Sequence, residues 1–288
     1  MLWLLGVSVL LASLNSVFLH KIRFKKNESI YRFNLLCALV WCAVLAAVNG
    51  FRIHITQNVL VFGIVYGVAQ VLFILFKTAA MNSGPVSVTT LIENSSLVIS
   101  VLACLLLWGE PISIADVAGL ALLLVGIVLC TYKKSEQVFS KRWKMYVVGF
   151  LVFAASVGVI FKAFSKAGGA VDAGSMLLVA SIVMVVTYAV ICFVSGGFRV
   201  ESRTGDKRGV LAFVAYALVS GVCSCGYNRL NVYLSGALDG IVFFPVFNGG
   251  VILLSAILAM ILLREKLRYK QMLGILSGIL GICVIGIL

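Results

Sequence analysis

Charge is scarce in this chain. Of its 288 residues only 11% are Asp, Glu, Lys or Arg, against roughly 25% in ordinary globular proteins. So few charges could not cover the surface of a soluble domain, and a disordered chain would carry more charge and less apolar sequence. Acids are the scarcest, with 10 Asp and Glu against 23 Lys and Arg, a net charge of +13. Histidine occurs only as His20 and His54, both near the ends of apolar runs. No HExxH, GxSxG or GxxxxGK[ST] stretch is present, so the usual equipment of an intramembrane protease, a serine hydrolase or an ATP-driven pump is missing. The eight cysteines form no CxxC pair and lie in or beside apolar runs. They read as small buried hydrophobes, not as a disulfide framework or a metal site. No metal or other cofactor is expected.

What the chain has is apolar sequence, 62% of it. Ten runs stand out, at 1–19, 33–50, 58–76, 84–107, 113–131, 144–164, 174–195, 209–233, 237–263 and 269–288. Each is long enough to cross about 30 Å of hydrocarbon as a helix, and none has the short alternating pattern of a barrel strand. The expected fold class is therefore all-α integral membrane, with ten transmembrane helices. The first run is as apolar as a signal peptide. It lacks a basic start and a small-residue cleavage site, and Lys21, Arg23, Lys25 and Lys26 follow it, so it reads as a retained helix.

In a soluble protein this basic excess would suggest nucleic acid. Here the charges sit between apolar runs and report topology, so no nucleic-acid partner is expected. With ten spans, the side of the N-terminus collects Arg52, Lys162, Lys166 and Arg229, and the other side collects the remaining nineteen Lys and Arg. Basic loops stay cytoplasmic. The expectation is a multi-pass cell-membrane protein with both termini outside, and with the stretches around Glu136 and Thr204 in the cytoplasm.

The sequence also repeats itself. A shift of 155 residues lays Gly109-Glu110-Pro111 over Arg264-Glu265-Lys266 and pairs Ser100 with Ser255, Gly119 with Gly274 and Gly126 with Gly281. A shift of 143 pairs Gly6 with Gly149, Ala12-Ser13 with Ala155-Ser156, and Phe18 with Phe161. Residues 1–131 and 144–288 thus read as two five-helix units, joined by a charged cytoplasmic linker at 132–143. Five is odd, so the second copy enters the membrane inverted, which is an architecture of secondary transporters. A helix ending in Leu107-Trp108-Gly109-Glu110-Pro111 and followed by glycine-spaced sequence, then repeated, resembles the EamA-type drug/metabolite transporter family. The resemblance covers nearly the whole chain. It implies two five-helix repeats and transport of a small organic solute without a shared catalytic motif. Members are often drawn with both termini in the cytoplasm, opposite to the charge count here.

Polar residues within the runs are the candidate site. Glu93 falls about 13 Å into the fourth run when counted from Gly84. A carboxylate at the bilayer centre costs about 2.5–3.5 kcal/mol on insertion scales, so it should face a cavity or carry a proton. Thr89, Glu93, Ser96 and Ser100 are spaced four, three and four apart and share a face, which Thr90 flanks. The competing reading of such a stripe is hydrogen-bond glue between helices. The 155 shift sets Asn248 opposite Glu93, in the stretch Phe243 to Gly250, where Pro245 and two glycines could break the ninth helix. Further polar faces are Tyr66, Gln70 and Lys77 in the third run, Tyr216, Ser220, Tyr227 and Asn231 in the eighth, and Ser8 and Asn15 in the first. Arg229 points away from its helix's polar stripe and, like Lys162, is expected to snorkel to headgroups. Gly63/Gly67 and Gly274/Gly278 have the GxxxG spacing of close helix contact.

The functional expectation is a secondary transporter of a small organic metabolite or drug, an exporter or exchanger with a central cavity between the repeats. Protons are the candidate coupling ion, carried on Glu93, and membrane lipids are the surrounding partner. A flippase for a lipid-linked substrate keeps the fold and changes the cargo. An intramembrane enzyme is the rival from another class, and no second acid inside a span supports it.

Overall fold

The computed structural model describes residues 1–21, 27–83, 86–131, 140–168, 172–195, 207–263 and 269–287. Ten helices account for nearly all of them: α1 (Leu2–Lys21), α2 (Asn27–Val48), α3 (Gln57–Ser83), α4 (Val86–Trp108), α5 (Ile114–Thr131), α6 (Lys141–Lys166), α7 (Ala173–Val194), α8 (Lys207–Ala237), α9 (Gly240–Leu263) and α10 (Tyr269–Ile287). No strand occurs among the described residues. Six helices are long and apolar enough to cross a membrane: α2, α3, α6, α7, α8 and α9. The apolar stretches of α1, α4, α5 and α10 are shorter. The large exposed side chains of α7, Ile182, Val186, Val190 and Phe193, fall at helical spacing on its outer face, as do Leu211, Leu218 and Val222 on α8. An outer surface this apolar belongs against lipid, so the chain is a helical membrane protein.

Local chemistry sets where the helices begin. Ser113 and Asp116 form a reciprocal cap at the start of α5, in which Asp116 Oδ2 accepts from Ser113 N (2.8 Å) and Asp116 N donates to Ser113 Oγ (3.0 Å). Ser140 caps α6 by accepting from Trp143 N at 3.1 Å, and Thr56 Oγ1 accepts from Val59 N at the start of α3. Gly50 and Phe51 reverse the chain after α2 with consecutive left-handed φ values of 61° and 58°. The strained member is Phe51, because its Cβ crowds that conformation. The third helix outruns its apolar stretch, continuing beyond Lys77 to Ser83, because Lys77 finds a carboxylate partner on α4.

The more extensive packing joins helices of the first half to helices of the second. The contacts trace a ring in the order α1, α8, α2, α7, α3, α6, α4, α9 and back to α1, and α5 pairs with α10 beside α4 and α9. Glycines make the closest approaches. Gly63 and Gly67 lie against the backbone of α7 at Met176 and Ala180. On α5, Gly119 meets Gly281 and Gly126 meets Gly274 and Gly278 of α10. A side chain at Gly126 would be driven into backbone atoms at 2.7–3.0 Å. The GxxxG pairs are thus close helix contacts, as their spacing predicts. α6 also meets α8, with Ser165 against Gly236 at the end of the bundle where α1 begins. The pair related to it by exchanging the halves, α3 with α1, has no packing of like extent among the described residues.

The ninth helix is not broken. Gly240–Leu263 is one continuous helix with Pro245 inside it. Pro245 is the sixth residue of the helix and removes the one bond its N–H would make to Ile241 O, and the remaining ladder carries the helix past it. Gly249 and Gly250 serve packing, against Leu123 of α5 and Val9 of α1.

Candidate functional site

Glu93 lies about 10 Å along α4 from Val86, the first described residue of that helix. It pairs with Lys77 of α3, whose Nζ donates to Glu93 Oε1 at 2.6 Å. Both side chains are partly open, at 30% and 21% exposure for Lys77 and Glu93, and the ammonium sits 5.4 Å from the centroid of the Phe73 ring. Tyr66, Phe73 and Lys77 share one face of α3 at spacings of seven and four. Tyr66 is fully buried, its ring against Phe161 of α6 with centroids 4.7 Å apart and its hydroxyl donating to Asn228 Oδ1 of α8 at 3.2 Å. That face therefore points into the bundle, and the Lys77–Glu93 pair with it. Gln70 lies on the same helix between them, half-buried.

A second polar group ties α8 to α1 and α3. Ser8 donates to Asn231 Oδ1 at 2.6 Å, and Asn15 Nδ2 donates to Ser224 Oγ at 3.0 Å while its own Oδ1 is buried without a partner. Asn228 Nδ2 donates to Ser224 O at 2.8 Å and carries the chain on to Tyr66. The Tyr227 ring lies against Phe247 of α9, 6.1 Å between centroids. The first, third and eighth polar faces thus converge in the interior.

The α4 stripe divides. Thr89 is buried and accepts from the indole Nε1 of Trp143 at 3.1 Å. Ser100 approaches Ala155 O of α6 at 3.4 Å. These two hold α4 to α6. Ser96 is half-buried between them. Thr90 is on α4, but its side chain lies outside the described residues. Asn248 does not meet Glu93; its Nδ2 donates back to Phe244 O in its own helix at 3.0 Å.

Of the two basic residues expected to snorkel, Lys162 does not. Lys162 is fully buried and forms an ion pair with Glu110. The expectation failed because Glu110, just past the end of α4, folds inward and supplies a counter-charge. Glu110 Oε2 also accepts from Gly240 N at 2.7 Å, at the start of α9, and the Trp108 ring lies 5.8 Å from the ammonium. Arg229 Nη1 reaches Asn49 Oδ1 at 3.4 Å, just past the end of α2. It borders an open cavity of about 430 Å³ with Leu11, Ala173, Gly174, Gly226, Leu230 and Tyr233. No group of three or more His, Cys, Asp or Glu able to hold a metal occurs among the described residues.

Among the described residues the interior therefore offers a partly open ion pair, a sealed ion pair and a hydrogen-bonded seam of amides and hydroxyls. The sequence matches no family model and no curated protein. A solved crystal structure, described in words only as that of a protein, superposes with a TM-score of 0.75 at 18% identity, over 99% of this chain and 96% of its own. That likeness establishes a fold shared from end to end, and the fold alone.

Proposed function

We propose that this chain is a secondary transporter of a small organic solute, built as two inverted five-helix repeats around a central cavity and similar to the EamA-type drug/metabolite transporters. The observation that carries this reading is the seam between α5 and α10. Ser277 Oγ donates to Leu122 O at 2.8 Å, across a separation of 155 residues, the same shift that relates the repeats in sequence. Applied to the contact of Gly119 with Gly281, that shift returns Gly274 with Gly126, which is also a contact. A two-fold axis through the Leu122–Ser277 contact would have this effect. The partners of Gly119 and Gly126 run backwards along α10, so the helices are antiparallel. Helices related by an axis along the membrane normal would run parallel, whereas an axis in the membrane plane inverts them. The ring agrees in large part, since exchanging halves turns α3–α6 into α8–α1, α3–α7 into α8–α2, and α4–α6 into α9–α1.

Within this reading all ten helices cross the cell membrane and both termini lie outside. The solute binds where α3, α4 and α8 present Tyr66, Gln70, Lys77, Glu93, Tyr227 and Asn231. Lys77 and Glu93 neutralise each other in the empty site. A proton and a cationic group of a solute each displace Lys77 from the Glu93 carboxylate, so the two bind in turn and not together. That exchange couples charge to solute. The chain's role would be export or exchange, driven by an ion gradient.

The test has two steps. Purified protein is first screened for thermal stabilisation by a metabolite library, since a ligand that binds only the folded state raises the unfolding midpoint by mass action. Any stabilising solute is then offered to proteoliposomes under an imposed pH gradient. Uptake that follows the gradient supports the reading. A stabilising solute that never crosses the bilayer, with or without a gradient, defeats it.

A further inference from the structure

We propose that Glu110, Lys162 and the start of α9 form a gate that holds shut the end of the bundle where α1 begins. The proposal rests on the secondary-transporter reading above, in which the central cavity opens to one side of the membrane at a time. Three separate elements meet at this point: the segment after α4, the last turns of α6, and the first residue of α9. Glu110 joins all three, with one oxygen on Lys162 and the other accepting from Gly240 N at 2.7 Å. That N–H is one of the donors a helix start leaves unsatisfied, and the positive end of the helix dipole favours a carboxylate there. Cys104 of α4 lies against Gly240, and one helical turn beyond Lys162, Ser165 abuts Gly236 of α8 with no room for a side chain between them. Four helices, α4, α6, α8 and α9, therefore close on one another at this end.

The opposite end differs in a way the repeat does not require. The α6–α8 contact has no counterpart of like extent between α1 and α3 among the described residues. The two ion pairs differ in the same sense. Lys162 and Glu110 are 0% and 7% exposed, and Lys77 and Glu93 are 30% and 21%. One end is sealed by charge, and the other keeps its charges within reach of the interior.

An ion pair suits a gate better than an apolar plug does. Paired and buried, the two charges attract strongly but have lost their water, so the balance is close to even. Separated in an open mouth, both are rehydrated. A hydrophobic seal would instead expose its full apolar area to water on opening. A near-balanced contact is what a two-state element needs.

The buried thiol of Cys104 reports the gate without any knowledge of the solute. The full chain, in lipid nanodiscs with both faces accessible, is treated with an impermeant maleimide, and modification at Cys104 is followed by peptide mass. The unsubstituted chain should label slowly, and Glu110→Gln should speed labelling about tenfold or more. Glu110→Gln combined with Lys162→Met leaves no unpaired charge, so it keeps the test valid if the single variant unfolds. Faster labelling at an unchanged unfolding midpoint supports the gate. A folded double variant that labels as slowly as the parent overturns it, as does a rate that rises only in step with a falling midpoint, which would make the cluster a structural staple. Uptake is read separately: faster labelling with no uptake of any solute keeps the gate and removes the transporter reading.

Discussion

Lys77 and Glu93 stand 16 residues apart on neighbouring helices, and each makes the other tolerable inside an apolar bundle. A double-mutant cycle over Lys77→Met and Glu93→Gln should return a coupling energy of about 1–3 kcal/mol, read from unfolding midpoints, because either single change leaves one charge without its counter-charge. Under the proposed function, Glu93→Gln should also abolish both uptake driven by a pH gradient and solute-for-solute exchange, since proton and solute take turns on one carboxylate. Exchange that persists without gradient-driven uptake would mean that Glu93 carries the proton and does not bind solute. Tyr66→Phe removes a single hydroxyl that bonds Asn228 in the interior, and should cost about 0.5–1.5 kcal/mol, the range measured for interhelical hydrogen bonds in bilayers. At this scale the sequence was only half legible. The spacing of Thr89, Glu93, Ser96 and Ser100 disclosed a common face but not what it faced, since a helical period says nothing of the neighbouring helix. Two of those residues turned out to hold α6. The Glu110–Lys162 pair was missed for the same reason. Its one trace in the sequence was a lysine inside the end of an apolar run with no acid within a turn of it.

Among the elements, α5 and α10 make the tightest demand on side-chain size. Gly126→Val would press into the backbone of Gly274 and Gly278, and backbone cannot swing aside as a flexible side chain can. The expected loss is about 1–3 kcal/mol. Gly6 is the control, since an added Cβ there meets nothing within 4 Å. Gly6→Ala in α1 should be neutral or stabilising by about 0.5–1 kcal/mol. Thermal unfolding in one detergent compares the two, and equal midpoints would refute the claim that the seam selects for glycine. The helices themselves were readable because hydrophobic length is a one-dimensional property: every apolar run became a helix. The break expected at Phe243 to Gly250 was not found, because the proline removes a single bond from a long helix and the two glycines serve the packing of α1 and α5.

For the molecule as a whole, orientation is the open quantity that charge addresses. Lys77 and Lys162 are committed to ion pairs within the bundle, so neither should count as a loop charge, and the contrast between the two sides survives their removal. Glu136 and Thr204, whose stretches the charge count assigns to the cytoplasm, lie outside the described residues, but exposed positions elsewhere serve. Ile55→Cys in the turn before α3 should react with an impermeant thiol reagent on intact cells. Lys141→Cys at the start of α6 should react only after permeabilisation. The reverse pattern would invert the protein and place its termini in the cytoplasm.

The way the helices pair has a consequence for how the protein is made. Within residues 1–131, α1, α2 and α3 find their main neighbours only among α6, α7, α8 and α9, and α5 finds its own in α10. Under the proposed reading, the five-helix repeat would not be a unit of assembly. When the ribosome has delivered the first five helices, they have almost nothing to hold on to, and they must wait in the lipid, loosely tethered and open to quality-control proteases, until their counterparts arrive. Either half produced alone should be degraded quickly, and the two produced as separate polypeptides in one cell should rescue each other. The joining segment would then matter for the timing of their meeting and little for its outcome.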